Sequence, residues 1–352
     1  MRAMNDNPVL VELWRGPMVE SRHRGAWAVV DAAGRLRASA GDVARPVYPR
    51  SAVKVLQALP LVASGAAETL GLGDAELALA CASHGGEPAH VATAAGMLAR
   101  AGLNEQALGC GSHWPSLEAA SRVLARQGGE PGPLHNNCSG KHAGMVCLGC
   151  LMARAQGVEP AAFLRGYVQP DHPVMREVSA ALQAATACDL SRAPMATDGC
   201  SIPTFGIPLQ QLALGFARVA TGQGLSDGHA RAAQRLRRAV AAQPFMVAGS
   251  GRFDTRVMAH FGERVFCKVG AEGVYCAALP GLGLGLALKM DDGNTARAAE
   301  VLMAEWLARW VARDDADHAA LAPWRPAELR NWNGLAVGRL QAAADAVPAP
   351  LT

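Results

Sequence analysis

The stretch Arg264–Met290, "RVFCKVGAEGVYCAALPGLGLGLALKM", decides the fold. Period-two patterning over "RVFCKVG", "GVYCAALP" and "GLGLGLALKM" predicts three successive strands. In the last of them Leu282, Leu284, Leu286 and Leu288 share one face, and Gly281, Gly283, Gly285 and Ala287 share the other. A face that bare admits a helix or a substrate at close range. The run is not a dinucleotide fingerprint, because the third glycine of GxGxxG is missing and no helix follows. NAD is not expected.

At the other end of the chain, Val9–Gly41 also reads as strands, with "DAAGRL" as the hairpin turn between "GAWAVVD" and "RLRASA". Between the two ends the pattern turns helical. Asp74 opens a short helix to Cys81, Glu87-Pro88 opens one ending at Gly102, Pro115-Ser116 opens another ending at Gly128, and a fourth begins near Ser139. "TDGCSIPTFGIP" is expected to be an irregular insert, and Ala296–Ala312 the last helix. The predicted fold is α/β of the α+β kind: an antiparallel sheet flanked by helices, with strands from about 8–47 and 264–352 and a mainly helical region, about 48–263, inserted. One catalytic domain over 1–352 is expected, without internal repeats.

Half of the 352 residues are hydrophobic, enough for a large core, and the net charge of +3 gives no field that would gather nucleic acid. A small-molecule partner is expected instead. No apolar run has the length of a signal peptide or of a membrane span, so the sequence predicts a cytoplasmic protein with no membrane partner. Nine cysteines at irregular spacings in a chain of this size point to reduced thiols rather than a disulfide framework. Cys147 and Cys150 sit among apolar residues and read as buried thiols, as do Cys81, Cys110, Cys188, Cys267 and Cys276.

In "YPRSAVKVLQALPL", Tyr48–Leu61, Ser51 stands three residues before Lys54 at a predicted helix start. That spacing puts both side chains on one face, where a lysine can serve as base for a serine nucleophile. Val53, Leu56 and Leu59 lie on another flank and would fix the helix by burial. A cation in the first turn is disfavoured by the helix dipole, and burial acts the same way, so Lys54 is expected to lose its proton readily; free backbone N–H groups there could hold an oxyanion. Alone, SxxK also fits a solvated helix surface. Further along, "CASHGGEPAH" puts Ser83 at a break between helices, and "FCKVGAEG" puts Lys268 on a strand two residues before Gly270. Serine-x-x-lysine, then a hydroxyl, then Lys-x-Gly is the order of the serine β-lactamases and penicillin-binding proteins, although no Asn stands two residues after Ser83.

A second cluster lies in "NNCSGKHAGMVCLGC". Cys138, Lys141 and His142 are offset by three and four residues at a helix start and could converge on one point. The dipole there favours a Cys138 thiolate and a neutral Lys141 amine, the forms that bind a metal, and Cys200, two residues after Asp198, could supply a distant ligand. From the residues alone a zinc site and a metal-free cluster both remain open, because lysine is an unusual ligand and no CxxC pair is repeated.

The segments "YPRSAVKVLQALPL", "CASHGGEPAH", "HNNCSGKHAGM", "TDGCSIPTFGIPL", "VAGSGRFDTRVM", "KVGAEGVYCAALP" and "ALKMDDGNTARAA" together resemble the rhizobial inducible-type L-asparaginases, the L-asparaginase II family. The resemblance runs over nearly the whole chain. It implies hydrolysis of L-asparagine to L-aspartate and ammonia, a serine β-lactamase-like fold and a homodimer. It also implies Ser51 as nucleophile with Lys54 as base, Ser83 and Lys268 as a second pair, and Cys138, Lys141 and Cys200 as zinc ligands with water in the fourth position. Zinc is the one cofactor so implied, with no organic cofactor. Arg50, Asp198, Gly270 and His142 are expected to contact the substrate, although Arg50 also reads as a surface or structural arginine. The alternatives are another serine amidohydrolase (a glutaminase, a β-lactamase-like enzyme or an esterase) or a non-catalytic asparagine-binding protein. A zinc deaminase is excluded, since its H-x-E and PCxxC signatures are missing.

Overall fold

The structure, a computed structural model, describes residues 7–350; residues 1–6, which fall within the part of the chain where a signal peptide is not expected, lie outside them. Twelve strands are found among the described residues: β1 Val9–Arg15, β2 Met18–Asp31, β3 Leu36–Ala40, β4 Pro46–Val47, β5 Met195–Thr197, β6 Pro203–Phe205, β7 Ile207–Pro208, β8 Phe266–Val269, β9 Val274–Leu279, β10 Leu284–Met290, β11 Ala327–Arg330 and β12 Ala336–Ala342. Eight form one antiparallel sheet in the order β11-β12-β1-β2-β10-β9-β8, with β3 paired to β2. The N-terminal strands thus join β8–β10 through the β2–β10 pairing, as the period-two segments predict, and join β12 through β1, although β11 and β12 lie past the segments read as strands. β2 is long enough to do two jobs: Met18–Arg24 pairs with β1, and Gly25–Asp31 pairs with β10.

Helices cover both faces of the sheet. Trp27 lies opposite Leu288 and meets Trp306 of the helix Glu300–Trp310 edge to face, with centroids 4.7 Å apart. Gly285 points the other way, and there the helix Leu209–Thr221 comes in so close that a Cβ would sit 2.0 Å from the Ala213 carbonyl. The bare face of β10 thus receives a helix. The strand itself is shorter than its leucine-glycine alternation suggests: Pro280–Leu282 is a 3-10 turn, Gly283 has φ +66°, and β10 starts at Leu284. Proline locks the turn and the left-handed glycine ends it, and neither residue shows in a period-two count.

Three further boundaries differ from expectation. "TDGCSIPTFGIP" is not wholly irregular, since β5 pairs with β6, and β7 pairs with β4. The helix expected over Ala296–Ala312 becomes regular only at Glu300, after a π-helical turn over Thr295–Ala299, and it is not the last, since Asp315–Leu321 is helical as well. Most relevant to function, Arg50–Val53 forms a 3-10 turn and the α-helix runs from Lys54 to Ala63. Its flank of Val53, Leu56 and Leu59 is buried as predicted, at about 1.5–3 kcal/mol per large aliphatic side chain.

Candidate active site

Ser51 sits in the second position of that 3-10 turn, where side chains three residues apart stack almost in register. Arg50 before it has φ +51°, a left-handed conformation that costs a non-glycine residue about 1–3 kcal/mol. Its guanidinium offsets part of that strain by donating from Nε to Asp198 Oδ1 at 2.6 Å. From the other side, the end of β8 packs on the turn: a Cβ on Gly270 would lie 2.5 Å from the Pro49 carbonyl and 3.3 Å from Ala52 Cβ. Gly270 is glycine because nothing larger fits between strand and turn. The expectation of free amides at this helix start is met only in part, for Ala52 N–H already donates to Pro49 O at 3.1 Å.

Lys54 is buried, at 1% exposure, yet it does not bond to Ser51. Its Nζ donates to Ser83 Oγ at 2.9 Å and to the Ala82 carbonyl at 2.5 Å. Lys268, fully buried on β8, donates to the same Ser83 Oγ at 3.0 Å and to Val269 O at 2.8 Å. One hydroxyl therefore bridges two lysines that come from residues 54 and 268. Burial pushes the Lys268 ammonium down to about 7, with Asp254 opposing the shift and Lys54 and Arg252 adding to it. A lysine near 7 can both take and give a proton at neutral pH. Ser83 itself is held by its backbone N–H, which donates to Val247 O at 2.8 Å.

Next to this chain lies the second cluster. Lys141 Nζ is 2.9 Å from Cys200 Sγ, and Cys200 Sγ is 3.8 Å from Asp198 Oδ2. A hydrogen bond from Cys200 holds the Cys138 thiol well below its ordinary range against the opposing effect of burial, and Lys54 and Lys141 act in the same direction. Cys200 is pushed up by the same shared hydrogen bond and by burial. Burial pulls Lys141 down, but Cys138, Cys200 and Asp198 outweigh it, so its amine holds its proton more firmly than a free lysine, the reverse of the expected shift. Asp198 also stays ionised: Lys141 and Arg50 overcome burial. Among the described residues no three His, Cys, Asp or Glu side chains form a metal-binding group. Two sulfurs and a nitrogen converging in a buried site do suit a cation of zinc's preferences.

His142 does not join either cluster by a hydrogen bond. Its Nδ1 meets Tyr167 Oη at 2.6 Å, and Gly109 N–H donates to that same oxygen at 2.9 Å. The hydroxyl proton then points to Nδ1, which leaves the ring proton on Nε2, a buried atom with no partner among the described residues. Burial keeps this ring well below the usual histidine range. His84 ties the two clusters together, since Gly86 N–H donates to its Nδ1 and its Nε2 lies 2.9 Å from Ser139 Oγ. A cleft of about 460 Å³ lined by Asn104, Gln106, Arg165 and Tyr167 contains none of the predicted site residues.

The sequence offered no sign of three features: the strain at Arg50, the tie through His84, and Asp254 behind Lys268. A positive φ at a non-glycine residue carries no pattern, and the other two depend on long-range folding. All nine cysteines are free and buried, in agreement with the sequence reading.

A family model described as L-asparaginase II matches residues 11–342 of the chain. Among solved structures, a β-lactamase from Mycobacterium bovis has 16% identity, covering 85% of this chain and 94% of its own, with a TM-score of 0.37. The structure of Mglu in its native form has 17% identity, covering 81% of this chain and 63% of its own, with a TM-score of 0.34. No curated protein matches.

Proposed function

The chain belongs to the L-asparaginase II family, an amidohydrolase that acts on asparagine, and we propose that it does so through an acyl-enzyme on Ser51. The observation that carries this reading is the buried Lys54–Ser83–Lys268 chain beside the strained turn that presents Ser51. Ser51 is half-buried, within reach of a substrate, whereas Ser83 is 8% exposed and accepts from two lysines.

In this mechanism Ser51 Oγ attacks the side-chain amide carbon of asparagine, and its proton passes to a neutral lysine amine. Lys54 takes the proton, and Ser83 couples it to Lys268. The proton is then delivered to the amide nitrogen as the C–N bond breaks, which releases ammonia and leaves a β-aspartyl ester. Water cleaves the ester by the same route in reverse and restores the Ser51 hydroxyl. Arg50 and Asp198, an ion pair at the mouth of the turn, offer the two charges that a zwitterionic amino acid needs, with Gly270 and His142 Nε2 as further contacts. Cys138, Lys141 and Cys200 would hold zinc, which when bound supplies a positive centre for positioning a polar substrate group. A homodimer in the cytoplasm completes the proposal, on the strength of the family resemblance. Among the described residues no helix is long and apolar enough to cross a membrane.

A second reading has its own observation: both lysines bond to Ser83, so Ser83 could be the nucleophile. Rapid-quench mass spectrometry with L-asparagine decides between them. We expect the aspartyl adduct on the peptide holding Ser51, and Ser51→Ala to lose on the order of 10⁴ in kcat while remaining folded. An adduct on the Ser83 peptide, or near-normal turnover by Ser51→Ala, transfers the role to Ser83. Binding of asparagine without ammonia release by the wild type would sink both.

A further inference from the structure

Asp254 is a buried carboxylate, 2% exposed, that the mechanism above leaves unused. It lies in the first turn of the helix Phe253–Phe261, which runs beside β8, the last strand of the main sheet. Gly270 N–H donates to Val274 O across the β8–β9 ladder, so one residue earlier the Val269 N–H faces the unpaired edge. Asp254 Oδ2 accepts that edge N–H at 3.4 Å. Its Oδ1 accepts the Tyr275 hydroxyl, from the cross-strand partner of Val269, and lies 3.8 Å from Cys267 Sγ. The residues on either side of Lys268 are thus gripped by one side chain. The Val269 carbonyl, which shares the open edge with its own N–H, is the one that receives Lys268 Nζ.

We propose that Asp254 is a positioning residue for the reaction: it fixes the free edge of β8 and sets a buried carboxyl group within electrostatic reach of Lys268, so that the amine reaches Ser83 able to exchange a proton. The inference rests on the reading of Lys268 as a proton-transfer partner of Ser83. Lys268 is surrounded by Lys54 from the Ser51 helix, Arg252 and Asp254 from the helix at the sheet edge, Cys138 from the candidate metal cluster, Cys81 beside the Ser83 loop, and Cys267 and Cys276 within the sheet. Glu300 faces the same network through Tyr275 and Cys267. Of these, Asp254 is the strongest influence that holds the proton on Lys268 against burial.

The sign follows directly. Asp254→Asn keeps the shape and removes the charge, so Lys268 should lose its proton more readily, and the limb of the kcat–pH profile that it governs should move to lower pH by about one unit. Asp254→Glu keeps the charge but lengthens the arm; its limb should stay in place while kcat falls about tenfold. Tyr275→Phe, which removes only a neutral partner, should leave the limb where it is. A limb unmoved in Asp254→Asn, with kcat merely reduced, overturns the inference. If that variant does not fold, wild-type kcat in Asp254→Glu overturns the positioning half on its own. Lys268→Met separates the two levels of the argument. It should abolish activity or erase the limb; if the limb survives, the reading of Lys268 falls and takes the inference with it, whereas an erased limb beside an unmoved Asp254→Asn profile removes Asp254 alone.

Discussion

Ser51 and Lys54 are legible in the sequence because three residues on a helical turn is a local relation. What each of them touches is not. Lys54 Nζ reaches Ser83, 29 residues away, and Lys268 meets it from 185 residues away, distances over which no spacing rule operates. The same contrast holds for Cys138 and Lys141, whose offset on one helix predicts their convergence, and for Cys200, which only the folded chain brings to them. Of the three, Cys200 is therefore the sharpest test of the proposed metal site. Its thiol is one of the two sulfurs available, so Cys200→Ser should leave less than about a tenth of the zinc bound by the wild type after dialysis, with the far-ultraviolet circular dichroism unchanged. Stoichiometric zinc in that variant would take Cys200 out of the ligand set. Elemental analysis of the two purified proteins is sufficient.

At the scale of elements, the strand at Leu284–Met290 shows how a correct pattern can carry a wrong boundary. Alternating leucine and glycine satisfy period two from residue 281 onward, but Pro280 and the left-handed Gly283 make the first part a turn. The face assignment survives that error, because alternation is fixed by the pleat wherever the strand begins. Whether the bare face received substrate or helix was beyond the sequence, since the helix Leu209–Thr221 is some 70 residues upstream. Its backbone at Ala213 and Ala217 occupies the space a side chain at 285 would need, with Ala217 N also within contact of a Cβ there. Gly285→Ala should consequently destabilise the protein, by about 1–3 kcal/mol if helix and sheet separate slightly to admit the methyl group. A urea midpoint equal to that of wild type would mean that the helix is free to move off the sheet. The turn at Arg50–Val53 belongs to the same scale: Gly270 brings β8 against it, so the element that carries Lys268 also braces the one that carries Ser51.

For the whole molecule, the predicted architecture rests on chain ends that meet, and the structure ties the C-terminal part down through one buried carboxylate. Asp317, 1% exposed in the helix Asp315–Leu321, accepts two hydrogen bonds from Arg264, one from the Arg313 backbone N–H, and faces His260 Nε2 at 2.8 Å. It thereby joins the segment leading into β11 and β12 to the residues just before β8, at opposite ends of the sheet order. Arg264 is the foremost cause that holds this carboxyl well below the usual aspartate range, and the Arg313 N–H and His260 reinforce it against burial. A carboxylate whose pKa is depressed on folding contributes stability that is fully present above the unfolded value near 4 and is lost as pH falls through the folded value. Asp317→Asn should then cost about 3 kcal/mol at pH 7, where the charge is lost together with its partners. The gap between the two proteins should hold down to about pH 4 and narrow below it, as the wild type itself becomes protonated. Urea unfolding at pH 7, 5 and 3 measures this, and a gap of constant size across the three would show that Asp317 acts by packing rather than by charge.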